Sequence, residues 1–127
     1  MSRLPLAVAA SALMILGVAS PAAAAPQEVV SLEDHIACAA IFYAQSATST
    51  DQEQIDAFEA ATGLMLSRAA PLGERQGLTS DQVIDRAAAE ADLILTRTNA
   101  APADQRNQII WNWGIGMDRC ITAALGE

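Results

Sequence analysis

Apolar residues recur along this chain at spacings of three and four, the period of a helix that buries one stripe. Over 32–48, Leu32, Ile36, Ala39, Phe42 and Tyr43 share one broad face. Ser31 suits the N-cap, and Glu33 and Asp34 suit the positive end of a helix dipole. Over 51–70, Ile55, Phe58, Thr62, Met65 and Ala69 form a seam. Thr50 and Glu53 have the spacing of a capping box, and Pro71 and Gly73 are expected to end the helix. Over 80–98 the inner face is Val83, Ile84, Ala87, Ala91, Ile94 and Leu95, with Thr79 and Gln82 as a second capping box. Over 102–125 it is Ile109, Ile110, Trp113, Met117, Cys120, Ile121 and Ala124. Pro102 opens that helix, where its missing N–H costs nothing, and Gly126 closes it.

The joints between these stretches are short, and short joints make consecutive helices antiparallel neighbours. The expected fold is therefore all-α, an up-down-up-down four-helix bundle. The two cysteines fit that topology. Cys38 lies about two turns into the first helix, and Cys120 between one and two turns from the end of the fourth. At about 1.5 Å per residue the two stand level on adjacent antiparallel helices. A disulfide between the first and fourth helices is expected. Closing a loop of roughly 80 residues is worth about 4–5 kcal/mol in the chain-entropy model.

The chain begins with a different pattern. Met1-Ser2-Arg3 is a short positive start, 4–18 is nearly continuous apolar sequence, and Ala22 to Ala25 supply small residues after Pro21. This is the order of a secretory signal peptide, with cleavage expected after Ala24. The apolar run is shorter than the roughly 20 residues of a membrane span. Residues 1–24 are thus read as a cleaved signal and 25–127 as one helical domain. An exported chain meets an oxidising compartment, which favours the disulfide. Every basic residue is Arg, which suggests a GC-rich bacterial genome and so the periplasm, or release from the cell.

The formal net charge is −8. Cleavage removes Arg3 and keeps every acid. An acidic chain argues against nucleic acid and against anionic membrane surfaces, both of which select basic patches.

Candidate chemistry is sparse. His35 is the single histidine. It shares a helix face with Cys38, but a structural zinc site takes four ligands, and the thiols are expected to be oxidised. There is no C-x-x-C, no C-x-x-C-H, no G-x-S-x-G, and no Glu-x-x-His pair for a di-iron bundle. No catalytic residue, metal site or cofactor is expected, and His35 reads as a partly exposed residue near a helix start. Asp81, Asp85, Glu90 and Asp92 read as a solvated helix face. The stretch Trp111-Asn112-Trp113-Gly114-Ile115-Gly116 stands out. If Trp113 faces the core, Trp111 points about 200° away, on a flank with Ile115. Trp111 and Ile115 are the candidate partner-binding residues, and Gly114 and Gly116 permit a bend or a close approach.

Leu78-Thr79-Ser80-Asp81-Gln82 resembles the L-T-x-x-Q signature of small periplasmic helical chaperones of the envelope stress response. The match covers five residues, and Thr-x-x-Gln is equally a capping box. Those chaperones form open, cradle-like dimers. Small acid-activated periplasmic chaperones offer an architectural analogy only, being helical with one disulfide. The expectation is an exported, non-catalytic binding or interaction protein, monomeric or weakly dimeric, with an unknown protein as its possible partner. A stress chaperone is the alternative.

Overall fold

A computed structural model describes residues 28–126; the expected signal segment 1–24 and its expected cleavage point lie outside the described residues. The order of elements is α1 (Leu32–Thr48), α2 (Gln52–Arg75), α3 (Ser80–Ala100), a 3₁₀ turn (Ala103–Gln105), α4 (Arg106–Trp111) and α5 (Met117–Gly126). The described residues are all-helical and contain no strand.

α1 is the central helix. Cys38, Ala39, Ala40, Ile41 and Phe42 are consecutive and all buried, so the helix is covered on every side over that turn. It packs against α2, α3, α4 and α5. Its start is the expected one: Ser31 is the N-cap, and its Oγ accepts the Asp34 N–H at 3.0 Å.

α2 differs from expectation at both ends. Asp51, not Thr50, holds the N-cap position and makes no side-chain capping bond. The helix also runs through Pro71 and Gly73 to Arg75. Pro71 cannot donate to the Ser67 carbonyl, yet the helix continues about one turn past it. The stop is Gly77, at φ +83°. The Gly77 N–H bonds the Glu74 carbonyl at 3.0 Å and the Leu78 N–H bonds the Gly73 carbonyl at 2.9 Å, the paired bonds of a Schellman cap. Gly73 serves packing instead. It is buried, and a Cβ there would stand 2.5 Å from Val83 Cγ2 on α3.

α3 starts on a complete capping box. The Gln82 N–H donates to Thr79 Oγ1 at 3.1 Å, and the Thr79 N–H donates to Gln82 Oε1 at 2.8 Å. Both side chains of the Thr-x-x-Gln signature are thereby engaged at a helix start.

The expected continuous helix over 102–125 is broken. α4 ends at Trp111, and residues 112–116 turn before α5 begins at Met117. Gly114 at φ +55° and Gly116 at φ +97° make the turn, using the left-handed conformations that favour glycine. Of the two roles open to this glycine pair, the bend is the one realised. The Cys38–Cys120 disulfide therefore joins α1 to α5, with its Cα atoms 5.4 Å apart and both residues fully buried.

Two residues assigned to inner faces are outside. Tyr43 is 49% exposed and Ile84 is 47% exposed.

Candidate functional site

Tyr43 and Ile84 line the same hollow. A cavity of about 330 Å³, open to solvent on one side, lies over α1 between α2 and α3. Its walls are Ala39, Ala40 and Tyr43 from α1, Thr62 and Leu66 from α2, and Ile84, Ala87, Ala88, Ala91 and Asp92 from α3. The cause is local. α2 and α3 touch closely at one end, where Gly73 admits Val83 and where Leu32 Cδ1 reaches within 3.9 Å of the same point. Further along, α1 and α3 meet the space with alanines, which are too short to fill it.

The groove has two chemically different ends. Leu32, Gly73 and Val83 mark the pinched end. Tyr43 and Thr62 each lie eleven residues from it along their own helices, and Asp92 nine. At about 1.5 Å per residue, all three stand roughly 14–17 Å along their helices from it, toward the wide end. The Phe42 and Phe58 rings, with centroids 6.0 Å apart, are one point of contact between α1 and α2. The wide end thus carries a phenol, a hydroxyl and a carboxylate, and the pinched end carries Ile84. Thr62 Oγ1 donates to the Phe58 carbonyl at 2.8 Å, so its hydrogen is used and its lone pairs remain. The Tyr43 hydroxyl and the Asp92 carboxylate have no hydrogen-bond or ion-pair partner among the described residues.

The corner at 112–116 is built differently. Trp111, Trp113 and Ile115 are all half-buried. Trp113, expected in the core, instead lays its indole against α3. Its Nε1–H donates to Glu90 Oε2 at 2.7 Å, and the Arg97 guanidinium stands 5.7 Å from the ring centroid, within cation–π range. The bend explains the change of phase, because the helix that would have aimed Trp113 inward has ended. The Trp111 indole nitrogen is buried and has no hydrogen-bond partner. Gly114 brings this turn against Ala37 of α1, 3.9 Å from the point a Cβ would occupy. Trp111 and Ile115 are thus both half-buried residues of this corner, and the Tyr43–Ile84 groove was not among the expected sites.

His35 is buried, not partly exposed, at 7% of its surface. Its Nδ1–H donates to the Ser31 carbonyl at 2.7 Å, so the ring helps close the first turn of α1. Cys38 and Cys120 are bonded to each other, and no grouping of three or more His, Cys, Asp or Glu side chains suited to a metal occurs among the described residues. No helix among the described residues is long and apolar enough to cross a membrane. No protein-family model, curated protein or solved structure matches the chain.

Proposed function

We propose that the mature chain is an exported, non-catalytic binding protein of the bacterial periplasm, and that the groove over α1 holds an apolar group of its ligand. The observation that carries this reading is the coincidence of Tyr43 and Ile84. Periodicity assigns both to the core, both are about half exposed, and both face one cavity. Departures from a consistent inside–outside pattern concentrate where a protein binds something. Export is supported by the order of residues 1–25 and by the disulfide, which suits an oxidising compartment. We read the fold as an up-down-up-down bundle whose fourth position is shared by α4 and α5, and the protein as a monomer or weak dimer.

The test is fluorescence of the neutral probe N-phenyl-1-naphthylamine on the oxidised mature protein. Enhancement is expected, and Ala88→Trp, which fills the groove from an exposed position, should abolish it. Trp111→Ala should leave it intact. The reverse pattern would move the site to the corner of Trp111 and Ile115, the other surface we hold open for a protein partner. Stress-chaperone activity is a second reading, favoured by the same exposed apolar surface. It requires that the protein suppress aggregation of an unfolded client, and that Ala88→Trp weaken this.

A further inference from the structure

We propose that the groove selects small amphiphiles that carry a positive charge, with the apolar part against Ile84 and the alanines and the cation at the Asp92 end. This rests on the groove being a binding site and adds the class of ligand. Three observations lead to it.

The first is Asp92 itself. It is the single charged residue among those lining the cavity, and it has no partner among the described residues. A carboxylate at the mouth of an apolar groove works against a neutral ligand, because covering it removes water and returns nothing. A cation placed there returns a charge-assisted contact. The second is the company Asp92 keeps. Tyr43 and Thr62 line the same groove. An aromatic face attracts a cation through its quadrupole, and a hydroxyl oxygen whose hydrogen is already donated offers only lone pairs. All three of these lining groups therefore favour positive charge. The third is the field of the whole chain. A net charge of −8 draws cations toward the surface and opposes anions.

Size narrows the class. A volume of about 330 Å³ lies at the low end of small-ligand pockets, roughly 300–1,000 Å³. It accommodates one short alkyl chain or a ring. A second copy of this acidic chain would bring like charge to the rim.

The experiment is titration of the oxidised mature protein with octyltrimethylammonium, octyl glucoside and octyl sulfate, which share a tail and differ in head-group charge. It is run at low salt, below the micelle concentrations, and read by calorimetry and by the amide shifts of Ala40 and Ala88. The ammonium compound should bind about three- to fivefold more tightly than the glucoside, the range an exposed ion pair supplies. The sulfate should bind most weakly. Asp92→Asn should remove the preference for the cation and leave glucoside affinity unchanged or improved. Raising the salt should erode the preference in wild type. Equal binding of all three heads, or a cation preference that survives Asp92→Asn, overturns the ligand class and leaves the groove as a site. Absence of binding by all three, with no shift at Ala40 or Ala88, overturns the groove reading and this inference with it. Mass measurement showing a dimer that dissociates as the ligand binds would also overturn it, by assigning the groove to a second copy.

Discussion

The two flanks of α1 are made from the same kind of sequence and end in opposite states. On one flank Cys38 is bonded to Cys120, and the chain from Arg106 onward folds over α1 with Ile110 and Met117 fully buried. On the other flank Ala39 and Ala40 look into an open groove. The difference lies in what each neighbour brings. α4 and α5 answer the small residues of α1 with isoleucine, methionine and a covalent bond. α3 answers them with Ala87, Ala88 and Ala91, and small facing small leaves space. A bundle that is tightly closed on one side can tolerate a hollow on the other. The disulfide closes one flank, and the open groove lies on the other.

The sharpest way to break this comparison is to open the closed flank. Replacing Cys38 and Cys120 together by alanine should lower unfolding free energy by about 2–4 kcal/mol in denaturant titrations, since the bond closes a long loop. The apolar probe should still bind below the transition. A loss under about 1 kcal/mol would show that packing alone holds that flank, and the asymmetry between the two sides would vanish.

The next effect tests where the groove narrows. Gly73→Ala places a methyl 2.5 Å from Val83 Cγ2, and Val83 is 1% exposed with a stiff, branched side chain. Overpacking of this kind costs about 1–3 kcal/mol, offset in part by the roughly 1 kcal/mol that alanine gains over glycine in a helix. A net loss of up to about 2 kcal/mol is expected. Gly63, on the same helix with nothing within 4 Å, is the control. Gly63→Ala should stabilise by about 0.5–1 kcal/mol. If Gly73→Ala behaves like Gly63→Ala in thermal melts, α2 and α3 do not pinch there, and the groove has no narrow end.

Local signals along the chain marked helix starts better than helix ends. Ser31 and the Thr79–Gln82 pair cap α1 and α3 as their spacing predicts, because a cap depends on three or four neighbouring residues. α1 occupies the expected 32–48. The end of α2 was misread at Gly73, whose role is set by Val83 on another helix and is invisible locally. Gly77 was the usable signal, a glycine followed by an apolar residue, which is the Schellman pattern. The break at 112–116 was half legible. The two glycines showed that a bend was possible there, but the continuous apolar stripe argued for one helix, and only backbone conformation separates the two. The disulfide was legible because the level of the two cysteines and the oxidising compartment expected of an exported chain pointed to the same bond. The groove was not. Tyr43 and Ile84 obey the core period at the edges of their faces, and whether an edge residue is covered depends on the size of side chains two helices away.

The smallest expected effect decides whether that groove flank differs from a core. Ile84 is 47% exposed, whereas Ile94, ten residues on along the same helix, is 0% exposed. Both were assigned to one inner face, so they form a matched pair of identical side chains on one element. Ile94→Ala should cost about 2–5 kcal/mol, the transfer and cavity terms of a buried isoleucine. Ile84→Ala should cost about 0.5 kcal/mol or less, as surface substitutions do. The same Ile84→Ala protein should bind the neutral probe more weakly, because it removes the largest apolar group at the pinched end. Two results would defeat this. A loss comparable to that of Ile94→Ala means Ile84 is packed in solution and the groove is closed. A small loss with unaltered probe binding means the open surface exists but the ligand lies elsewhere. Only a residue that is dispensable for folding and needed for binding fits the asymmetry of the two flanks, and Ile84 is the position where that separation is most cleanly exposed.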